Sequence, residues 1–217
     1  MSEPRRRVSS LPPELAAVPF GVLRPRDASD VYAYPAQEFR RLVARGALHQ
    51  LAHSYYAVIP PGGRQRPWLP SLETAAFGIA AATYGLDDVA LMGISAARLH
   101  GSIPRALAVA VVAVPKRRPG IRLSDRAATV VFVHRDTERI DVERVRTEMG
   151  SALVTTVEQT ILDLAHRPGL GELEDEAWSA VRSLWPNADR ELLAELAERQ
   201  RLRAALDRAH RRLATDA

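Results

Sequence analysis

Gln37, Arg40, Arg41 and Arg45 recur at helical spacing in the segment YPAQEFRRLVARG. Glutamine pairs bidentately with adenine and arginine with guanine, so this set carries the chemistry of base reading in a DNA major groove. In the same segment Phe39, Leu42 and Val43 fall at i, i+3 and i+4. That is the apolar stripe of a helix over residues 35–45, and it leaves the polar set facing away. Arg24 and Arg26 upstream, with Arg5, Arg6 and Arg7, suit phosphate contacts, which position a protein on a duplex without reading its sequence. A second basic concentration, Lys116, Arg117, Arg118 and Arg122, lies between two apolar runs. It suits another phosphate stripe or an acidic partner surface, with a solvated loop as the plain alternative.

The elements that hold these side chains follow from punctuation and periodicity. Residues 11–18 read as a short helix with its prolines in the first turn. Pro25 starts a second helix with Asp27 at its positive end, and it stops before Pro35. Pro35 starts the third helix, which Gly46 ends. Residues 47–51 and 55–59 then make a β-hairpin turning at 52–54. Three short helices followed by a hairpin is the winged-helix order. Residues 60–67, PPGGRQRP, read as a linker. Beyond it the pattern predicts a helix over 72–84, a helix near 95–100, strands at 107–114, 129–134 and 152–154, and helices over 156–166, 170–184 and 189–214. Thr156 and Gln159 have capping-box spacing, and Asn187 is the expected cap of the last helix. The fold class is therefore α+β, with a winged helix-turn-helix domain over residues 1–66 and a mixed α/β domain over 67–217 that ends in helices.

Charge placement is more informative than total charge. The chain of 217 residues carries a net charge of only +4, and Lys116 is the one lysine among 30 basic side chains. Residues 1–66 hold ten basic and five acidic groups, net +5, whereas residues 128–217 are net −4. A basic front implies a polyanionic partner. There is no cysteine, which removes thiol nucleophiles, thiolate metal sites and disulfides. The longest apolar run, residues 106–114, is far short of the ~20 residues of a spanning helix. No apolar stretch follows the N-terminal arginines, so a cytoplasmic protein is expected.

Three segments in order resemble the AbiEi-type antitoxins of type IV abortive-infection toxin–antitoxin systems. These are GVLRPRDASD with YPAQEFRRLVARGALHQLAHSYYAVIP, then LMGISAARLHGSIPRALAVAVVAVP with its basic loop, then LVTTVEQTILDLAHRP. The last is similar to a recurrent family segment through Val154, Thr155, Thr156, Thr160, Ile161, Leu162, Asp163, Leu164 and Ala165. The resemblance covers roughly residues 15–170. It implies a transcriptional repressor that binds inverted repeats in its own promoter and counteracts a nucleotidyltransferase toxin without a stable complex. By position, residues 35–45 are then the recognition helix and residues 52–54 the wing tip. The family usually carries Arg-Gly before the wing tyrosine, where this chain has His53-Ser54.

Enzyme signatures are sparse. The sequence has no Walker motif and no Asp-x-Asp, and Lys116 follows Val114-Pro115 rather than the acid a nuclease needs. A toxin-modifying phosphotransferase is one alternative to the antitoxin reading, and a plain winged-helix transcription factor is another. His49 and His53 stand four apart on the expected hairpin without an acid nearby, so no metal is expected. No cofactor is expected either. His100 is expected to be a buried, hydrogen-bonded histidine, and Asp163 to make a structural hydrogen bond or ion pair.

Overall fold

The computed structural model describes residues 11–60 and 68–215. The expected linker and the Arg5–Arg7 run therefore lie outside the described residues, apart from Pro60. The fold is α+β with two sheets. The chain begins with α1 (Pro13–Ala16), β1 (Val22–Leu23), a 3-10 turn at Pro25–Ala28, α2 (Pro35–Ala44), β2 (Leu48–Ala52) and β3 (Tyr55–Val58). These strands form a three-stranded antiparallel sheet in the order β1-β3-β2. The expected second helix is only the 3-10 turn. The following Ser29-Asp30-Val31-Tyr32 has weak helix propensity, and the chain turns there with Val31 and Tyr32 both bonded to the Ala28 carbonyl.

The second sheet is mixed and six-stranded, in the order β6-β7-β5-β4-β9-β8. It is built from β4 (Ala90–Leu91), β5 (Val109–Val114), β6 (Ile121–Arg122), β7 (Thr129–His134), β8 (Val142–Thr147) and β9 (Gly150–Thr155). Its helices are α3 (Leu72–Tyr84), α4 (Ile94–Leu99), α5 (Val157–His166), α6 (Glu174–Leu184), α7 (Arg190–Arg199) and α8 (Arg203–Thr215). Strand β5 reads as a continuous apolar run because α3 and α4 both pack on it. Helix α3 has its expected bounds, capped by the Ser71 hydroxyl on the Thr74 amide. The Thr156 hydroxyl likewise caps α5 through Gln159 N–H.

Several sequence expectations fail at helix ends. The residues expected as one helix over 189–214 form two, α7 and α8. Arg201 breaks them with φ 57°, and the Leu202 amide reaches back to Ala197 while the Arg201 amide bonds Glu198. This is a Schellman ending with arginine where glycine is usual, and burial of Leu202 at 7% exposure holds it. The cap of α7 is Asp189, which accepts from Glu191 and Leu192 N–H, whereas Asn187 sits in a 3-10 turn. Helix α6 begins at Glu174 rather than 170, after a turn through Gly171 at φ 88°.

The small sheet is a wall between two apolar cores. Successive strand residues point to opposite faces. Leu23, Leu48 and Tyr56 join Leu11, Leu15, Phe39 and Leu42 in one cluster under α2. Val22, Tyr55 and Ala57, with Phe20 and Leu51, join the larger core of α3 and the second sheet. That larger core thus runs across the boundary expected at residue 66. Gly78 is the closest approach, since a Cβ there would lie 2.5 Å from Val22 Cγ2.

Candidate nucleic-acid interface

Helix α2 is positioned from below. Phe39 is fully buried, meets Tyr56 edge-on at 5.2 Å, and pins the helix to the sheet with Leu42. Pro35 occupies its first turn. At its end the Gly46 amide bonds Val43 and the Ala47 amide bonds Leu42, a Schellman motif in which Gly46 takes φ 68°. Anchored at both ends, α2 turns Gln37, Arg40, Arg41 and Arg45 outward, and all four are exposed. Arg41 pairs with Glu38 one turn earlier. Arg40 and Arg45 have no ion-pair partner among the described residues. Tyr34, immediately before the helix, is 74% exposed, the most exposed large apolar side chain among the described residues. In the sequence its signal is an aromatic at the boundary of a basic helix.

The other residues of the basic front are spread over different elements. Arg24 is largely buried at 13% side-chain exposure, and its guanidinium forks onto Asp27 at 2.6 and 2.8 Å. Its charge is thus closely matched by a carboxylate, whereas the exposed Arg26 shares the same Asp27 only at 3.8 Å. His53 and Ser54 form the two-residue hairpin turn, with His53 exposed and Ser54 at φ 64°. Ser54 therefore adopts the left-handed conformation that suits glycine, so the hairpin turns here without one.

The loop after β5 does not present one basic surface. Lys116, Arg117 and Arg122 are exposed, but Arg118 folds inward. Its guanidinium lies 4.3 Å over the Phe132 ring and donates to Thr83 Oγ1 at 3.4 Å and Tyr55 Oη at 3.3 Å. It so ties the second sheet to the first residue of β3. Burial disfavours the Tyr55 phenolate, but the hydrogen bonds with Thr83 and Arg118 and the Arg118 charge outweigh this and lower its pKa.

The junction between the halves also corrects one histidine expectation. His49 has an acid partner after all: Asp125 accepts at 2.8 Å, and the ring meets Trp68 edge-on at 5.9 Å. The partner is 76 residues away in sequence, which is why local inspection misses it. Nearby, the Ser124 amide bonds the Leu51 carbonyl and Arg126 bonds the Pro70 carbonyl. His100 makes the expected hydrogen bond, to the Thr155 carbonyl at 2.8 Å, but is only part-buried. No group of three or more metal-ligating side chains occurs among the described residues. Among them, too, no helix is long and apolar enough to cross a membrane.

The β9–α5 segment is occupied with holding itself together. Thr155 and Thr160 hydroxyls bond each other at 2.8 Å, and the Thr156 hydroxyl donates to Asp141. Asp163 accepts from Gln159 Nε2 at 3.1 Å and faces Arg135 at 3.4 Å. Burial raises its pKa to about 6 in spite of both partners, and its Oδ2 has no hydrogen-bond partner.

No protein-family model matches the chain, and no match is found among curated proteins. Among solved structures, the chain is similar to the Rv2827c protein of Mycobacterium tuberculosis, with 19% identity and a TM-score of 0.54. The match covers 89% of this chain and 75% of that one. It is a likeness of fold.

Proposed function

We propose that this protein is an AbiEi-type antitoxin that binds inverted repeats in its own promoter and counteracts a nucleotidyltransferase toxin. Residues 11–60 act as a winged helix-turn-helix, with α2 as recognition helix and the β2–β3 hairpin as wing. The observation that carries the reading is an anchored helix with one buried apolar face and an opposite face of Gln37, Arg40, Arg41 and Arg45. The sheet order β1-β3-β2 beneath it supports the same assignment. Gln37, Arg40 and Arg41 read base edges, while Arg26 and Arg45 hold phosphates and Arg24 braces the turn before α2 through Asp27. The Arg41–Glu38 pair is exposed and worth ~0.2–1 kcal/mol, so exchanging it for a guanine contact costs little. The antitoxin half rests on the three resembling segments, which bring with them a nucleotidyltransferase partner.

Promoter binding by fluorescence anisotropy tests the DNA half. Arg41→Ala is expected to cost about 1–3 kcal/mol on the operator and to relax preference at one base position. Arg45→Ala is expected to weaken all sequences alike and reduce the salt slope by about one. Unchanged operator affinity across Gln37→Ala, Arg40→Ala and Arg41→Ala sinks the assignment of α2. Co-expression with the nucleotidyltransferase from the same operon tests the other half: no rescue of growth removes the antitoxin reading and leaves the DNA reading standing.

A further inference from the structure

Parallel strands β5 and β7 end side by side, and both run on into basic residues, Lys116-Arg117-Arg118 after one and Arg135 after the other. The region outside the carboxyl ends of parallel strands is where open α/β sheets collect ligands. A cavity of about 400 Å³ opens there, lined by Arg117, Arg118, Phe132, Val133, His134 and Arg167. The loop after β5, the end of β7 and the residue after α5 each supply part of its wall.

The charge in this cavity is of one sign. Three guanidiniums and an imidazole line it, and no carboxylate does. Arg117 and Arg167 are exposed and make no ion pair to a described residue. Arg118 is held from behind by neutral partners, the Phe132 ring and the hydroxyls of Tyr55 and Thr83, so its position is fixed and its charge is not neutralised. Like charges gathered in a concavity repel one another and raise the local potential for an anion.

The larger cavity of about 1010 Å³ nearby behaves differently, although it too contains arginines. Of these, Arg135 faces Asp163, Arg139 faces Asp136 and Arg199 faces Glu195. Asp136 and Glu138 also line it. Its charges are largely satisfied internally, and those of the smaller cavity are not.

We propose that the smaller cavity binds a phosphomonoester. Arg117 and Arg167 grip its oxygens as bidentate donors, His134 adds a ring N–H, and Arg118 supplies a fixed charge at the rear. A carboxylate brings one charge and two oxygens to three guanidiniums. A phosphomonoester brings nearly two charges and three strong acceptors, which fits the set better. The volume suits a mononucleotide, either free or at the 5′ end of a nucleic acid. This inference does not depend on the reading of α2.

Calorimetric titration of the full chain distinguishes the sources. The probes are inorganic phosphate, a nucleoside 5′-monophosphate, and one short oligonucleotide with and without a 5′-phosphate. A Gln37→Ala/Arg40→Ala/Arg41→Ala/Arg45→Ala background removes the exposed polar face of α2 from the oligonucleotide arms. Binding of the phosphate-bearing probes is expected to weaken about tenfold for each of Arg117→Ala and Arg167→Ala, with the fold kept because both side chains are exposed. Binding of the mononucleotide identifies a free nucleotide as the ligand. Binding of the 5′-phosphorylated oligonucleotide alone identifies a nucleic-acid end. The proposal is overturned if no phosphate-bearing probe binds, if the two substitutions leave affinity unchanged, or if the unphosphorylated oligonucleotide binds equally well.

Discussion

Asp163 offers a quantitative test of how the second core is built. Its side chain is 1% exposed, Arg135 lies at 3.4 Å, and one oxygen has no partner. Burial outweighs the attraction of Arg135 and the Gln159 hydrogen bond, so the carboxyl ionises near 6 instead of 3.8. Between those values the folded state binds more protons than the unfolded chain. Stability therefore falls as pH rises through this window and levels off above it. The full shift corresponds to about 3 kcal/mol, of which about 2 kcal/mol falls between about pH 4.5 and about pH 7.5. Asp163→Asn keeps an oxygen for Gln159 and removes the titration. Thermal unfolding of both proteins across that range is the assay. The wild-type Tm is expected to fall relative to the variant by about 4–8 °C, given ~2–4 °C per kcal/mol at this chain length. Comparing the two profiles cancels every other titrating group. Parallel profiles would refute the claim that burial dominates at this site.

Two substitutions probe the wall between the cores. Gly78→Ala places a methyl 2.5 Å from Val22 Cγ2, where Val22 is itself buried; the clash exceeds the ~1 kcal/mol gain in helix propensity, and urea unfolding is expected to show a net loss of about 1–2 kcal/mol. A rise in stability would mean that β1 does not rest on α3. At the hairpin tip, Ser54→Gly is expected to be tolerated because φ is 64°, whereas Ser54→Val costs about 1–2 kcal/mol; equal stability of the two would rule out a left-handed turn.

Much of this architecture was written locally. Helix α2 and its polar face follow from Pro35, the Phe39–Leu42–Val43 stripe and Gly46, all within one segment. Helix α3 and strand β7 match the sequence expectation residue for residue, since each has a dense pattern between clear stops. Strand β8 is not legible locally because VERVRT, at the sheet's edge, carries charges that an edge strand tolerates but that are equally usual in a loop. Strands β1 and β4 are two residues each, too short to carry a period. The α7–α8 break lacks glycine and proline, so only the burial of Leu202 reveals why Arg201 turns left-handed.

The sequence by itself determined which side chains face away from a core and how charge divides along the chain, because helical periodicity and composition are local properties. Only the tertiary structure decided which charges are spent. Arg118 is drawn under the hairpin by Tyr55 and Phe132, and His49 finds Asp125. Tertiary structure also brought Arg167 and His134 to Arg117, from segments that share no sequence pattern. Coulomb energies depend on distance through space, and distance along the chain says little about it.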